Sequence, residues 1–247
     1  MIPCYNEAKR LRGQAILDFL EAHQESSVCF VDDGSSDGTL SLLEAIEKNH
    51  HEKILVVRLA SNSGKAEAVR QGVLHAWQSR RFSFIGYWDA DLSTPLGELE
   101  HILEAFARNP HCRLAMGSRV RRFGSSIERR LLRHVMGRVF STVTSLILDL
   151  PVYDSQCGAK VFRSEVVEIV FGEIFLTDWL FDVEIIARLR NHFGRVAVLK
   201  AITEVPLTAW TDVGGSKLRA GHLIKVPIEL LRIHARYNLK RPGLPKT

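Results

Sequence analysis

The sequence lacks closely spaced cysteine pairs, linkers and internal repeats, and each absence argues against one class of protein architecture. Its 247 residues contain four scattered cysteines, with no CxxC pair and no histidine nearby at metal-binding spacing. This scatter argues against a zinc site or a disulfide framework and is typical of a reducing cytosol. Internal repeats, low-complexity tracts and Gly/Ser linkers are absent as well. We therefore expect one main domain with a C-terminal extension.

Long hydrophobic runs are also missing. The longest uncharged run in the apolar central stretch goes from Val139 to Leu148, whereas a membrane-spanning helix needs ~20 residues. The N-terminus lacks the basic-then-apolar pattern of a signal peptide. The sequence therefore predicts neither a transmembrane segment nor a secretion signal in this chain.

Neither sign of charge dominates, since 33 basic residues stand against 28 acidic ones and give a formal net charge of +5. This small excess suits phosphate groups or an anionic membrane surface, but it is too small to indicate nucleic acid. A chain of this length can bury roughly three-quarters of its unfolded surface, so it needs no metal or disulfide to fold.

Short apolar runs alternate with longer amphipathic stretches through the first half. Each run is too short for a helix and is followed by turn residues, so each is predicted to be a buried strand. This alternation predicts an α/β fold with a mainly parallel sheet, which binds ligands at the carboxyl edge of its strands. The predicted strands are 28–31, 54–57, 84–88 and 114–116, and the predicted helices are 15–22, 37–47, 65–78 and 97–107, the last capped by Thr94 before Pro95.

The motif Asp89-Ala90-Asp91 directly follows a predicted strand. Carboxylates two residues apart on a turning backbone can converge on one hard cation such as Mg²⁺, with water and phosphate oxygens completing its shell. The alternative is a polar turn before the next helix, since D-x-D is short and common.

A second acidic pair, Asp32-Asp33, ends the strand 28–31. An acid at this position can accept a hydrogen bond from a nucleotide base or from ribose hydroxyls. The alternative is that both are turn formers, and Asp37 is predicted to cap the following helix.

Three further segments offer ligand-binding groups. Residues 3–7 present the Tyr5 ring for stacking and the Glu7 carboxylate for hydrogen bonding. Lys65 begins a helix, where positive charge favours anions, but it suits equally well an ion pair with a sheet-edge acid. The GxxxxGK[ST] spacing of a P-loop is absent, so ATPase chemistry is not supported. The stretch from Trp210 to Lys217 is predicted to be a loop, either closing over a diphosphate or forming a surface turn.

Two arginines and two acids stand out later in the chain. Arg119 follows a strand end and Arg133 lies on an amphipathic stretch over 129–150; together they suggest recognition of a second phosphate, although Arg133 also fits an ordinary surface residue. Asp182 and Glu184 lie among apolar residues, and acids are rarely buried without a partner.

Taken together, these motifs resemble the family 2 glycosyltransferases of the GT-A fold, in particular the group that transfers sugars to polyprenyl or dolichyl phosphates. The matching segments run in family order from residue 2 to about 218, and jointly they are far more specific than any one alone. They include 3–7, 31–35, 62–65, 89–91, 117–119, 154–162, 181–184 and 215–217.

The resemblance implies a Rossmann-like, mixed but mostly parallel sheet flanked by helices, with a catalytic domain over 1–218 and a basic amphipathic extension over 219–247. It implies an inverting transfer of a hexose from a nucleotide-sugar, UDP-glucose or GDP-mannose being typical, to a lipid phosphate. The implied donor contacts are Pro3, Tyr5, Asn6, Glu7, Asp32, Asp33, Lys65, Asp89, Ala90 and Lys217; the implied ligands of Mg²⁺ or Mn²⁺ are Asp89, Asp91 and, more weakly, Ser93; and Arg119 and Arg133 match positions that meet the acceptor phosphate.

The sequence departs from the family pattern in two places. Relatives carry several apolar residues before the motif at 3–7, so we expect a clipped first strand or a start upstream of Met1, where an anchor could lie. Lys65-Ala66-Glu67 also replaces a more glycine-rich stretch, which is expected to alter the loop around the phosphates.

A lipid acceptor requires a route to the bilayer. Apolar residues between 131 and 147 recur at helical spacing, with arginines on the other face, and such a helix either lies in the membrane interface or packs on the core of its own domain. With the basic tail over 217–241, this predicts a peripheral protein at the cytoplasmic face of a membrane and no nucleic-acid partner.

Three rival functions remain for a sequence of this kind. A nucleotidyltransferase would need a glycine-rich basic loop near the N-terminus, which residues 3–11 lack. A binding protein without turnover is disfavoured by the presence of both Asp89 and Asp91. A transferase to a soluble or glycan hydroxyl would need a base such as Asp182 over the site.

Overall fold

The structure, a computed structural model, describes residues 1–128, 131–213 and 220–237, with residues 128, 131–134 and 220–224 described by their backbone alone. Strands and helices alternate in its first half, as the apolar pattern predicts. The strands are β1 Ile2–Cys4, β2 Val28–Asp32, β3 Ile54–Arg58, β4 Phe84–Trp88 and β5 Leu114–Ser118, and the helices are α1 Gly13–Ala22, α2 Thr39–Asn49, α3 Lys65–Gln78 and α4 Glu98–Arg108.

Shorter strands and a larger share of helix make up the second half. The long amphipathic stretch forms a single helix, and the C-terminal extension contributes another. The elements are β6 Ser126–Glu128, α5 Leu131–Leu148, β7 Ala159–Arg163, a 3₁₀ turn over Ser164–Val166, α6 Val167–Phe171, α7 Phe181–Phe193, α8 Arg195–Ala201, β8 Ile202–Pro206, β9 Ala209–Thr211 and α9 Ala220–Tyr237.

The sheet is mixed but mostly parallel. One part has the parallel order β1-β2-β3, and the other has the order β4-β7-β5-β8. The two parts are joined through Met1, whose amino group donates to Gly86 O (2.7 Å) and whose carbonyl accepts from the Trp88 amide (2.9 Å). The predicted mixed, mostly parallel sheet flanked by helices is thereby confirmed.

Strand β7 is the antiparallel element, lying between β4 and β5. Because it runs against its neighbours, its first residue lies at the edge where they end, and Ala159 pairs with Trp88. The segment that precedes β7 is therefore carried to the carboxyl edge, beside the residues that follow β4.

Apolar residues pack on both faces of the sheet. Alternate residues of a strand point to opposite faces, so Tyr87 joins one buried cluster and Trp88 the other. The cluster that contains Tyr87 also contains Leu230 and Ile233 of α9. The C-terminal helix thus shares a core with α7, while the assignment of 219–247 as a separate extension stays a prediction.

Two local predictions are wrong. Helix α4 begins at Glu98, whose amide donates to Pro95 O (3.1 Å), so Thr94 is not its cap; a tight turn intervenes and Thr94 is buried instead. Trp210 lies in β9, which pairs with β6, rather than in a loop. Three-residue strands are too short to show a period in the sequence. Asp37, in contrast, accepts from the amide of Thr39 at the start of α2, as predicted (2.9 Å).

In residues 1–128, 131–213 and 220–237, no helix has both the length and the apolar character needed to cross a membrane.

Gly72 is the point where α3 approaches the sheet most closely. A Cβ at this position would lie 2.6 Å from Val31 Cγ2 and 2.7 Å from Met1 Cγ. We expect Gly72→Ala to lower the free energy of unfolding by about 1–3 kcal/mol, because overpacking outweighs the better helix propensity of alanine. Urea unfolding measures this. Gly97→Ala is the control, because nothing lies within 4 Å of its Cβ position; an equal loss in both variants would contradict the packing argument.

Candidate functional site

The loops after β1 and β2 are interlocked at the carboxyl edge. The Asn6 amide donates to Ser35 Oγ (3.0 Å), and Asn6 Oδ1 accepts from the Ser36 amide (2.9 Å). The Glu7 amide donates to Thr39 Oγ1 (2.7 Å). Asn6 therefore acts as a bracket between the loops, and the Tyr5 ring beside it is 36% exposed.

Glu7 is buried and carries a two-pronged ion pair with Arg10. Arg10 Nε and Nη2 donate to the two Glu7 oxygens at 2.9 and 2.8 Å. The Glu7 bond raises the pKa of Arg10, and the nearby carboxylate of Asp91 adds to the rise. Arg10 thus brings a cation towards the Asp89–Asp91 motif. Sequence reasoning missed it, although the three-residue spacing from Glu7 is a recognisable helical-turn pair.

Asp33 organises the start of α3. Its carboxylate accepts from the Ser63 and Gly64 amides (2.7 and 2.9 Å) and from Asn62 Nδ2 (3.2 Å). Burial raises the pKa of Asp33, while these backbone bonds act against the rise. The turn-forming alternative accounts for these contacts, and a contact between Asp33 and a donor stays a prediction.

Asp32 has spare acceptor capacity. Its Oδ2 accepts from the Ser35 amide at 3.2 Å, whereas the buried Oδ1 has no hydrogen-bond partner in the described part of the chain. Pro3 lies beside it, on the neighbouring strand β1. An unsatisfied buried carboxylate oxygen is costly unless a ligand completes it.

A strained turn presents the Asp89-Ala90-Asp91 motif. The Leu92 amide donates to Asp89 O (3.0 Å) and Leu92 itself has a left-handed φ of 48°, which a branched side chain rarely adopts. The Ser93 amide donates to Asp91 Oδ1 (2.9 Å), so Ser93 supports Asp91 through its backbone, and its role as a metal ligand stays a prediction.

Gly158, directly before β7, packs against the first carboxylate of the motif. Its carbonyl accepts from the Asp89 amide (2.9 Å), and a Cβ on Gly158 would lie 2.0 Å from Asp89 Oδ2. The backbone of this segment therefore defines one wall around Asp89, and only glycine leaves room for it.

Lys65 forms an ion pair with an acid at the sheet edge, the predicted alternative to anion binding. Its Nζ lies 2.6 Å from Asp89 Oδ1 and 5.7 Å from the centroid of the Phe181 ring. Burial acts to lower the pKa of Lys65, but the carboxylates of Asp89, Asp182 and Asp91 outweigh it and raise the pKa. The ammonium therefore stays charged at the start of α3.

Asp182 is a buried partner of the fully buried Lys160. Lys160 Nζ donates to Asp182 Oδ1 (2.6 Å) and to Cys157 O (2.7 Å), and the Tyr87 hydroxyl donates to the same carboxylate. Burial raises the pKa of Tyr87 well above its ordinary value, and Asp182 adds to the rise. The expectation that Asp182 needs a partner is confirmed. Because the Asp182 carboxylate is buried and already accepts from Lys160 and Tyr87, it is not poised over the site as a general base.

Arg119 forms a bidentate ion pair with Asp154, which lies in the segment before β7. Its Nε and Nη2 each donate to Asp154 at 2.7 Å, and its guanidinium lies 5.4 Å from the Trp210 ring. Burial acts to lower the pKa of Arg119, but Asp154 raises it. Glu204 Oε1 in turn accepts from the Tyr153 amide at 2.7 Å. Sequence reasoning did not identify these partners, which lie far from Arg119 in the chain.

Two predicted phosphate contacts lie outside the described residues: the side chain of Arg133 and the whole of Lys217. On the same helix as Arg133, Arg138 stacks 3.8 Å over the Tyr153 ring. Its Nη1 is buried without a hydrogen-bond partner among the described residues. Part of the arginine face of α5 therefore points towards the segment that holds Arg119.

The described residues contain no cluster of three or more His, Cys, Asp or Glu side chains that could hold a metal ion. Asp89 and Asp91 remain as a two-carboxylate set. Such a set matches the one or two protein ligands that Mg²⁺ usually takes, with water and substrate phosphates as the rest.

Comparisons with known proteins identify the family to which the chain is similar. Residues 1–171 match the family described as Glycosyl transferase family 2. The chain is 31% identical over 232 residues to the dolichyl-phosphate beta-glucosyltransferase of Drosophila melanogaster, covering 88% of this chain and 68% of the relative. It is 29% identical over 260 residues to the protein of the same name from Saccharomyces cerevisiae, covering 97% and 74%.

Solved structures share the fold. Glucosyl-3-phosphoglycerate synthase from Mycobacterium tuberculosis, in complex with Mn²⁺ and UDP, superposes with a TM-score of 0.62 at 16% identity, over 100% of this chain and 80% of that one. A mannosyltransferase from Pyrobaculum calidifontis, in complex with GDP-Man and Mn²⁺, gives 0.60 at 16% identity, over 99% and 64%. The fold is therefore GT-A.

The buried pair of Lys160 and Asp182 generates a stability prediction. We expect Lys160→Met to lower the free energy of unfolding by about 3–5 kcal/mol, because it leaves a buried carboxylate without its cation. Chemical denaturation measures this. The double variant Lys160→Met/Asp182→Leu should recover part of the loss, and a further loss in the double variant would contradict the pairing argument.

Proposed function

This chain belongs to glycosyl transferase family 2 and is a glycosyltransferase, and from that premise we propose that it transfers a hexose, glucose in the first place, from a nucleotide-sugar to a polyprenyl or dolichyl phosphate at a membrane surface. The observation that carries the proposal is that one segment, the residues before β7, contacts both Asp89 and Arg119. Gly158 packs against Asp89, which pairs with Lys65. In the same segment, Asp154 pairs with Arg119. The names of relatives that match along 88–97% of this chain support the same acceptor.

The donor would occupy the edge formed by the loops after β1 and β2. The exposed Tyr5 ring offers a stacking face, and the free Oδ1 of Asp32 offers an acceptor for a base or ribose group. The α3 N-terminus and Lys65 supply positive charge for the diphosphate. Pro3, Asn6, Glu7, Asp33, Ala90 and Lys217 complete the proposed donor contacts.

Asp89 and Asp91 would hold Mg²⁺ or Mn²⁺, with Ser93 as a weaker third position. When bound, the ion supplies positive charge that stabilises the leaving nucleotide diphosphate. The Lys65 ammonium contacts the Asp89 carboxylate, so it adds a second positive charge beside the diphosphate and also neutralises the negative charge of Asp89.

The acceptor chemistry explains why a general base is dispensable. A phosphate monoester is largely dianionic at pH 7, since its second pKa is about 6, so its oxygen attacks the sugar carbon without losing a proton. This agrees with an Asp182 that is buried on Lys160. Arg119, oriented by Asp154, and Arg133 would hold the acceptor phosphate against repulsion from the donor diphosphate.

A lipid acceptor is supported by the outer surface of two helices that pack against each other, α5 and α9. Their exposed apolar side chains form what we call the apolar face, and the described part of α9 adds basic residues for anionic lipid headgroups. Phe140 and Ile147 of α5 instead pack on the core, as the core-packing alternative predicts, and the interface role is proposed for the exposed side of the helix. The apolar face consists of Val135, Met136, Val139, Val143, Leu146, Ile228 and Leu231.

The metal assignment is tested by Asp91→Ala. We expect transfer of glucose from UDP-glucose to a short polyprenyl phosphate to fall at least about 10²-fold, because a charge-stabilising group is lost, while the melting temperature stays close to that of the wild type. Asp18→Ala, an acid of α1, is the control and should retain activity. Full activity of Asp91→Ala with added Mn²⁺ would refute the assignment, and transfer to a free sugar instead of the lipid phosphate would refute the acceptor.

The membrane proposal is tested by co-sedimentation with anionic vesicles. We expect Val139→Glu/Leu146→Glu to reduce binding about tenfold or more, because two charges then replace apolar side chains in the lipid-facing surface. Val196→Glu, at an equally exposed apolar position on α8, should bind like the wild type. The proposal fails if the wild-type protein stays in the supernatant, or if both variants lose binding equally.

A further inference from the structure

Helix α7 begins without a side-chain cap of its own. Leu180 precedes its first residue, and the Leu180 carbonyl accepts from the Val183 and Glu184 amides (2.9 and 3.0 Å). The Leu180 amide is satisfied from another element, since it donates to Glu229 Oε2 of α9 at 3.2 Å. A carboxylate at this place also complements the positive end of α7.

Glu229 is committed to this contact by its surroundings. It is 9% exposed and lies next to Leu230 in the core-facing side of α9. Burial raises the pKa of Glu229, while the bond from the Leu180 amide opposes the rise. Burying a carboxylate on an otherwise apolar side of a helix costs free energy of folding unless a hydrogen bond offsets that cost. The bond from the Leu180 amide supplies this offset for Glu229.

The first turn of α7 reaches the proposed phosphate-binding end directly. Phe181, next to Leu180, places its ring 5.7 Å from Lys65 Nζ. Asp182 follows, and its negative charge attracts the Lys65 ammonium. Lys65 Nζ in turn contacts Asp89 at 2.6 Å. A shift of this turn therefore moves Phe181 and Asp182, which act on Lys65 together with Asp89.

From this chain of contacts we propose that Glu229 is a positioning residue for the nucleotide-binding site: it fixes the start of α7, so that Phe181 and Asp182 hold Lys65 against Asp89. The C-terminal helix then has two roles, since Ile228 and Leu231 belong to its exposed apolar face while the intervening Glu229 contacts the start of α7. The inference rests on the proposed nucleotide-sugar donor and is independent of the acceptor.

The test measures binding of UDP, and in parallel GDP, to the full chain with Mn²⁺ by titration calorimetry. We expect Glu229→Leu to weaken nucleotide binding about tenfold, because misplacing a group that acts at a site is costly even from a distance. Glu229→Gln, which keeps an oxygen acceptor for the Leu180 amide, should stay within about threefold of the wild type. Melting temperatures are recorded for all variants, and binding is measured well below the lowest of them.

Two further variants separate positioning from general damage to the helix. Leu230→Ala removes a core contact of the same helix without touching the bond to Leu180, so it should lower the melting temperature and leave binding within about threefold. Lys65→Met/Glu229→Leu should bind no more weakly than Lys65→Met alone if Glu229 acts through Lys65.

The outcomes are decisive in both directions. Equal weakening in Leu230→Ala and Glu229→Leu, additive losses in the double variant, unchanged binding in Glu229→Leu, or a wild type that binds neither nucleotide would overturn the inference. Failure to transfer sugar to polyprenyl phosphate would overturn the proposed acceptor, yet the pattern of nucleotide binding would still stand.

Discussion

The site depends on a series of side chains of alternating charge, which runs from the buried interior to the carboxyl edge of the sheet. Lys160 neutralises Asp182, and Asp182 and Asp89 together hold Lys65. Each group is partly or wholly removed from water, where an unpaired charge is costly. The arrangement therefore fixes side-chain positions before any substrate arrives, as a site that must stabilise a leaving diphosphate requires.

A single antiparallel strand makes this arrangement possible. Strand β7 carries Lys160, and the segment before it supplies Gly158 against Asp89 and Asp154 against Arg119. A parallel strand in the same place would have its C-terminal end at this edge, and the segment that precedes the strand would lie at the opposite edge of the sheet. The reversal thus brings the Asp89-Ala90-Asp91 motif, proposed to hold the metal, and Arg119, proposed for the acceptor, to the same segment.

Much of the fold and part of the site could be predicted from local pattern. Short apolar runs followed by turn residues correctly gave β2 to β5, and the acids after them fall at the sheet edge. The family resemblance is confirmed. Strand β7 escaped prediction because Lys160 and Arg163 interrupt its apolar run, and the β6–β9 pair because three residues carry too little periodicity to be distinguished from a loop. The start of α4 was misplaced because Thr94-Pro95 fits a tight turn as well as a helix start.

The amino-acid order alone determined that strands and helices alternate, that acids and an aromatic ring stand at strand ends, and that buried acids such as Asp182 need partners. Tertiary structure decided which residues those partners are: Lys160 for Asp182, Asp154 for Arg119, and the Ser63 and Gly64 amides before α3 for Asp33. The reason is physical. Pairing between residues distant in the chain depends on strand register and helix docking, which many weak contacts set together and no short stretch of residues encodes.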